Sequence, residues 1–256
     1  MIILQEHHHG SIVGTLYAME YSAKEMLAIF KEYCGSISYF ELSNIPKFFL
    51  SKICKNKVRV DGLNSGRIIQ KKVREISNKK GIYNISDINI PLFIPSVDLS
   101  SGNLIVFTSE NKRKDFSDNI IYINNIDISV AVRASCSYPG IFSPVRLGDF
   151  ILADGGIREN VPWRILKESN CNTVFSIIFQ TENKAHPCDG IFDVITSSFD
   201  LLCHELSNYE IAGTDYLIDI HTPNVSLLDC SKIDELYVLG YSQTKEYIRK
   251  NRLIFN

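Results

Sequence analysis

The chain has 256 residues, 45% of them hydrophobic and 22% charged, and a formal net charge of 27 − 29 = −2 at pH 7. That composition is ordinary for a soluble globule and excludes a disordered chain, a collagen, a coiled coil and a disulfide miniprotein. The charge excludes nucleic-acid binding by overall attraction, and no apolar run approaches the ~18 residues of a membrane-spanning helix.

Met1–Leu4 is apolar but too short for an export signal, and Ile2–Leu4 reads as the end of a strand. Ser11–Met19 is small and apolar, and predicts a buried helix. Ser22 followed by Glu25 is a capping box, so a second helix starts there. Residues 34–62 are irregular, with Pro46 inside an aromatic patch of Phe40, Phe48 and Phe49. Asn64–Ser77 is amphipathic: Ile68, Ile69, Val73 and Ile76 oppose Arg67, Lys71, Lys72 and Arg74.

Leu92–Asp98 and Leu104–Thr108, joined by Ser100-Ser101-Gly102-Asn103, read as a hairpin. A helix is expected over Ile126–Ser135, stopped by Pro139-Gly140, and a short strand over Phe150–Ala153. A helix begins near Pro162, and Thr173–Phe179 reads as a strand covered on both faces. Ile191–Asn208 carries a helical stripe at 191, 195, 199, 202 and 206; Tyr216–Ile220 is a strand and Ile233–Ile248 a last helix. This alternation predicts an α/β fold, three-layer α/β/α around a mainly parallel sheet, as one domain over 1–256 with an atypical stretch at 1–9.

The seven cysteines are odd in number and contain no CxxC pair, so they read as reduced, mostly buried thiols of a cytoplasmic protein. His7, His8 and His9 alternate in direction on an extended chain and converge poorly on one ion, so no metal site is expected. His204 reads as a partly buried helix histidine. No phosphate-binding lysine loop or GxGxxG is present, and no cofactor is expected.

The chemistry concentrates at Ser135–Val145 and at Asp154-Gly155-Gly156. A carboxylate at the carboxyl end of a strand, where two glycines let the backbone turn sharply and bring something close to it, is placed to act as a general base. The tripeptide alone is equally an ordinary Asp-Gly turn.

Four segments in order enlarge that reading: Gly10–Met19 with Tyr21–Met26; Ser96–Phe107; the Pro-Gly-x-Phe-x-Pro turn within Ser135–Val145; and Asp154-Gly155-Gly156 with Asn160-Val161-Pro162. Together they resemble the patatin-like phospholipase family of lipid acyl hydrolases. The resemblance implies a Ser–Asp dyad. A serine within Gly-x-Ser-x-Gly attacks a lipid ester, an aspartate takes its proton without a histidine, and a glycine-rich loop stabilises the oxyanion. Asp154 takes the aspartate's place.

The same resemblance puts the elbow on Glu6-His7-His8-His9-Gly10, so the nucleophile position is His8 and the first elbow glycine is Glu6. The family's first strand and glycine-rich loop have no counterpart in the 256 residues. A truncated or wrongly started reading frame, a degenerate inactive member and a tag scar all fit. Ser11 is expected to be a polar residue of the helix start, pointing away from the elbow apex. The chain is therefore expected to lack hydrolase activity as written; a non-catalytic lipid-binding or regulatory module is the alternative. An unrelated enzyme using Asp154 with a metal is a further reading, opposed by the lack of neighbouring ligands at suitable spacing.

The partner expected is a lipid or membrane-surface substrate, which would give the protein a peripheral place at membranes. Residues 52–80 hold ten Lys/Arg against Asp61 and Glu75, a net of +8, so they are either a solvated helix face or a contact for anionic headgroups, with Phe48, Phe49 and Leu50 as anchors.

Overall fold

The computed structural model describes residues 10–34, 62–111, 119–181, 190–223 and 230–251. Helix α1 (Gly10–Ala18) is followed by α2 (Ala23–Cys34). The capping box is present: Ser22 donates through N and Oγ to Glu25 Oε2 at 2.7 and 2.6 Å, and Glu25 N donates to Ser22 Oγ at 3.3 Å. Helix α3 (Arg67–Lys79) begins three residues later than its periodicity suggests. Asn64 is engaged in a bridge to Phe142, and Gly66 at φ 63 is left-handed, so the helix starts only after them. Ile69, Val73 and Ile76 are its buried stripe.

The hairpin is β1 (Phe93–Asp98) and β2 (Leu104–Thr108), with Val97 opposite Leu104. Its turn is locked by Asp98, which accepts from the Ser100 and Ser101 hydroxyls at 2.6 Å each. Burial alone would raise the Asp98 pKa; these donors and the Ile151 N–H override it and hold the acid down at about 2. β3 (Ile120–Ile123) then runs parallel to β2. The Ile-Ile-Tyr-Ile run is its only sequence signal, and sequence reasoning passed over it.

Asp127 caps α4 (Ile128–Ser135), accepting from Ser129 N at 2.8 Å. β4 (Val145–Leu147), β5 (Phe150–Asp154), α5 (Trp163–Glu168), β6 (Phe175–Thr181), α6 (Ile191–Glu210), β7 (Tyr216–Thr222) and α7 (Ile233–Lys250) complete the described elements.

The class is α/β, as the alternation predicts, with mixed strand pairing. The order β3-β2-β1-β5-β4 combines a parallel β2–β3 pair with antiparallel β1–β2, β1–β5 and β4–β5 pairs. The tight turns within 93–108 and 145–154 cannot be crossed by parallel neighbours, and this accounts for the antiparallel β1–β2 and β4–β5 pairs. β6 and β7 form a separate parallel pair.

Alternation along the hairpin builds the layers. Ile94, Ile105 and Phe107 face Ala18 and Met19 beside α1, Ile69 and Val73 of α3, and Ala131 and Val132 of α4. Phe93, Leu104 and Val106 face Ile165 and Leu166 of α5 on the other side. Covering both faces makes β1 and β2 buried throughout. β6 differs from its expected double cover: Val174, Ser176 and Ile178 are buried while Phe179 is 43% exposed.

Candidate active site

Asp154 ends β5, opposite Ser96 of β1, and is 5% exposed. Ser96 Oγ donates to Ala153 O at 2.6 Å, pinning the strand just before the acid. The chain then turns through the single 3-10 turn Gly155–Ile157, and the carboxylate Oδ1 accepts from Gly156 N at 2.9 Å. Neither glycine has a positive φ, so what calls for glycine at this sharp turn is close approach. A Cβ on Gly155 would lie 2.9 Å from the Pro95 backbone, and one on Gly156 would lie 2.8 Å from Asn160 Oδ1 and 3.2 Å from Asp154 Oδ1. The second glycine thus makes room for the carboxylate itself.

The Ser135–Val145 turn forms the adjoining wall. Asp154 N donates to Ser137 O at 3.1 Å. Ser137 Oγ in turn accepts from Arg133 Nη1 at 2.6 Å. Arg133 is a buried cation on the otherwise small and apolar α4. Its Nη2 donates to Ser65 O at 2.5 Å and Ser143 O at 2.6 Å, tying the start of α3 to the far side of the turn. Burial pushes its pKa down to about 10. Gly66 is required by this contact, since a Cβ there would lie 2.2 Å from Arg133 Nε. Sequence reasoning did not single out Arg133; its signal is one arginine inside Ile-Ser-Val-Ala-Val-Arg-Ala-Ser.

Helix α6 closes the site from above. Cys203 Sγ donates to Gly156 O at 3.7 Å, and Asn160 Nδ2 donates to Ser207 Oγ at 2.6 Å. Glu210 Oε2 accepts the Asn160 and Val161 amides at 2.8 and 2.7 Å. Burial, with Glu159 nearby, pushes Glu210 up to about 7 against the lowering effect of those amides and of Arg164. Tyr138 OH donates to Asp200 Oδ1 at 2.6 Å, and burial together with that carboxylate raises the phenol's pKa.

On the amino-terminal side, Ser11 Oγ in the first turn of α1 lies 3.4 Å from Cys136 Sγ. Burial pushes the Cys136 thiol up to about 12, opposed by the Ser11 contact and reinforced by the charge of Asp154. Cys203 is pushed up to about 12 by burial and by Asp154. Both thiols are therefore neutral near pH 7 and poor nucleophiles. Gly10 is the first residue of α1; His8, with Glu6, His7 and His9, lies outside the described residues.

Of the basic segment 52–80 only residues 62–80 are described. Lys71 and Lys72 pair with Glu75, and Arg74 pairs with Asp127 at 2.7 Å. A shallow groove of about 410 Å³ is lined by Arg67, Gln70, Lys71, Arg74, Glu75 and Asn78. Phe48, Phe49 and Leu50 lie outside the described residues. His204 is exposed, with its Nδ1 3.2 Å from Asn208 Nδ2, which corrects the expected partial burial: it sits a quarter-turn from the inward Cys203. Among the described residues no helix is long and apolar enough to cross a membrane.

The family model described as Patatin-like phospholipase matches residues 9–167, more than half of the chain and all of the Asp154 site except its helical roof. The chain belongs to the patatin-like phospholipase family. A curated relative is the uncharacterized protein YqhO of Bacillus subtilis (strain 168), 24% identical over 204 residues, covering 75% of this chain and 67% of YqhO. Among solved structures, VipD from Legionella pneumophila is similar with a TM-score of 0.40 and 14% identity; the match covers 94% of this chain, which spans 52% of VipD. Asp154, Gly155 and Gly156 lie within the matched residues.

Proposed function

We propose that this patatin-like chain carries the acid half of a lipid carboxylic-ester hydrolase, with Asp154 as the proton acceptor and Gly155 and Gly156 as its seat. The observation that supports this reading is a buried carboxylate at a strand end, held by the Gly156 amide and roofed by α6. A carboxylate so fixed can take the proton of a serine hydroxyl as that oxygen attacks the ester carbon. It then returns the proton to the departing alkoxide. Water repeats the exchange on the acyl-serine.

In these 256 residues the nucleophile position falls on His8. The chain as it stands is therefore expected not to turn lipid esters over. Neutral thiols at Cys136 and Cys203 provide no substitute nucleophile. The second reading, a lipid-binding or regulatory pseudo-hydrolase, is favoured by the same His8. Residues 52–80 would add contact with anionic headgroups, supported by Arg67, Lys71 and Arg74 around one groove.

Release of fatty acid from mixed phospholipid vesicles tests the reading. The wild-type chain and Asp154→Asn are expected to match the buffer blank. Release by wild type that Asp154→Asn abolishes would overturn inactivity and keep the base. Release that Asp154→Asn leaves intact would overturn both.

A further inference from the structure

Two carboxyls on the inner side of α6 hold it down. Asp200 accepts from Tyr138 of the adjoining wall, and Glu210 at the helix end takes the Asn160 and Val161 amides. Between them the grip is neutral: Asn160 Nδ2 to Ser207 Oγ at 2.6 Å, and the long thiol contact of Cys203 to Gly156 O at 3.7 Å. On the outer face Val194, Ile195, Leu201, Leu202 and Tyr209 are exposed, so little apolar burial there opposes a movement of the helix off the turn. Past the helix the chain is fixed again, with Gly213 against the Trp163 ring and Asp215 bonded to Lys167 at 2.5 Å. The stretch from 201 to 212 is therefore fastened to the Asp154 turn mainly through Glu210.

That fastening is built against its own charge. Glu159 from the turn and Arg164 from α5 face the Glu210 carboxyl, and Cys203 faces it from α6. Cys203 is neutral near pH 7. Arg164 is exposed, lies over the Trp163 ring, and also faces Glu159, as Arg158 and Glu168 do. Burial raises the Glu159 pKa as well. A carboxylate withdrawn from water beside a second acid, with one exposed cation shared between them, is disfavoured. The protonated acid escapes that cost, and its carbonyl oxygen still accepts the two amides.

We propose that the carboxyl-terminal half of α6 is a proton-operated clasp: with a proton on Glu210 it stays closed over the Asp154 turn, and loss of that proton releases residues 201–212 and admits solvent to the site. The clasp governs access to Asp154, whatever reacts there. Closed, the Glu210 carboxyl ionises near 7; in water it ionises near 4.5. The closed form therefore holds a proton that the open form has released. The open fraction rises with pH through that window and levels off above it. Between pH 6 and pH 8 the closed-to-open ratio should fall about tenfold.

Hydrogen–deuterium exchange of the full 256-residue chain, read by mass spectrometry and corrected for the intrinsic pH dependence of exchange, tests the clasp. Segments 155–161 and 201–210 of wild type are expected to lose about tenfold in protection from pH 6 to pH 8. At pH 8 their exchange should be indifferent to low urea, as local opening is, whereas exchange of strands β1 and β2 should rise with it. Glu210→Gln keeps an acceptor for the two amides and cannot ionise, so its protection is expected to stay flat across the same range.

Flat protection in wild type would overturn the proposal. So would an equal loss in Glu210→Gln. So would wild-type exchange of 201–210 that rises with urea in step with β1 and β2, since that is unfolding of the whole chain. The wild-type series decides by itself should the variant fail to fold.

Discussion

The seat of Asp154 and the outer face of α6 lie on opposite sides of one helix, and they are built on opposite principles. At the seat, polar groups find partners inside the fold: the carboxylate meets Gly156 N–H, the strand before it meets Ser96, and the adjoining turn meets Arg133. On the outer face, large apolar side chains are exposed and meet none among the described residues. The contrast teaches that the seat is held by burial and hydrogen bonds that any change disturbs, whereas the roof's exterior is free to change without cost to folding.

The largest effect is expected at Arg133. Arg133→Met leaves the Ser65 and Ser143 carbonyls and the Ser137 hydroxyl without their donor. The expected loss is about 3 kcal/mol, seen as a fall in thermal midpoint of roughly 6–12 °C. Arg133→Lys should recover only part of it, because an ammonium cannot span the same acceptors. An unchanged midpoint would mean that the turn holds itself.

Gly155→Ala comes next. Its Cβ meets the Pro95 backbone, which cannot step aside, so a loss of about 1–3 kcal/mol is expected in urea unfolding. Gly156→Ala should cost less, because its Cβ meets the Asn160 and Asp154 side chains rather than backbone. The reverse order would show that the acid, and not β1, sets the turn.

Glu210 gives a smaller, pH-dependent effect. Its carboxyl ordinarily ionises near 4.5, and near 7 here. The folded chain therefore keeps a proton that the unfolded chain has released between those values. Stability from this group is full below about 4.5 and is lost as pH rises through about 7. Glu159 and Arg164 face the same carboxyl and shape the curve. Thermal midpoints of wild type should fall over that window relative to Glu210→Gln, and parallel curves would contradict the burial of Glu210. The smallest effect belongs to the outer face, where Leu201→Gln/Leu202→Gln should leave stability within about 0.5 kcal/mol.

The same contrast explains which parts were legible in the sequence. The hairpin, the Ser22 cap and the strand before Asp154 announce themselves through local chemistry: Asp98 with two serines, Ser22 with Glu25, an apolar run ending in Asp-Gly-Gly. Helix α6 was legible as a helix and not in its orientation. The stripe at 191, 195, 199, 202 and 206 reads as a core face, yet Ile195 and Leu202 are exposed while Cys203 and Ser207 are buried. Apolar periodicity cannot tell a buried face from an exposed one, and the inward residues are small and polar because they bond the Asp154 loop. Arg133 was illegible for a related reason: its partners are carbonyls 10 and 68 residues away, which no local pattern reveals. β3 lay hidden in a four-residue run that pairs only with β2.

The central claim is that Asp154 stands ready as a base while this chain offers it no reactive alcohol. Intact-mass spectrometry after a fluorophosphonate probe tests it most directly. The account predicts no stoichiometric adduct on the 256-residue chain, with wild type and Asp154→Asn alike. A one-to-one adduct on a serine of wild type, absent from Asp154→Asn, would contradict it.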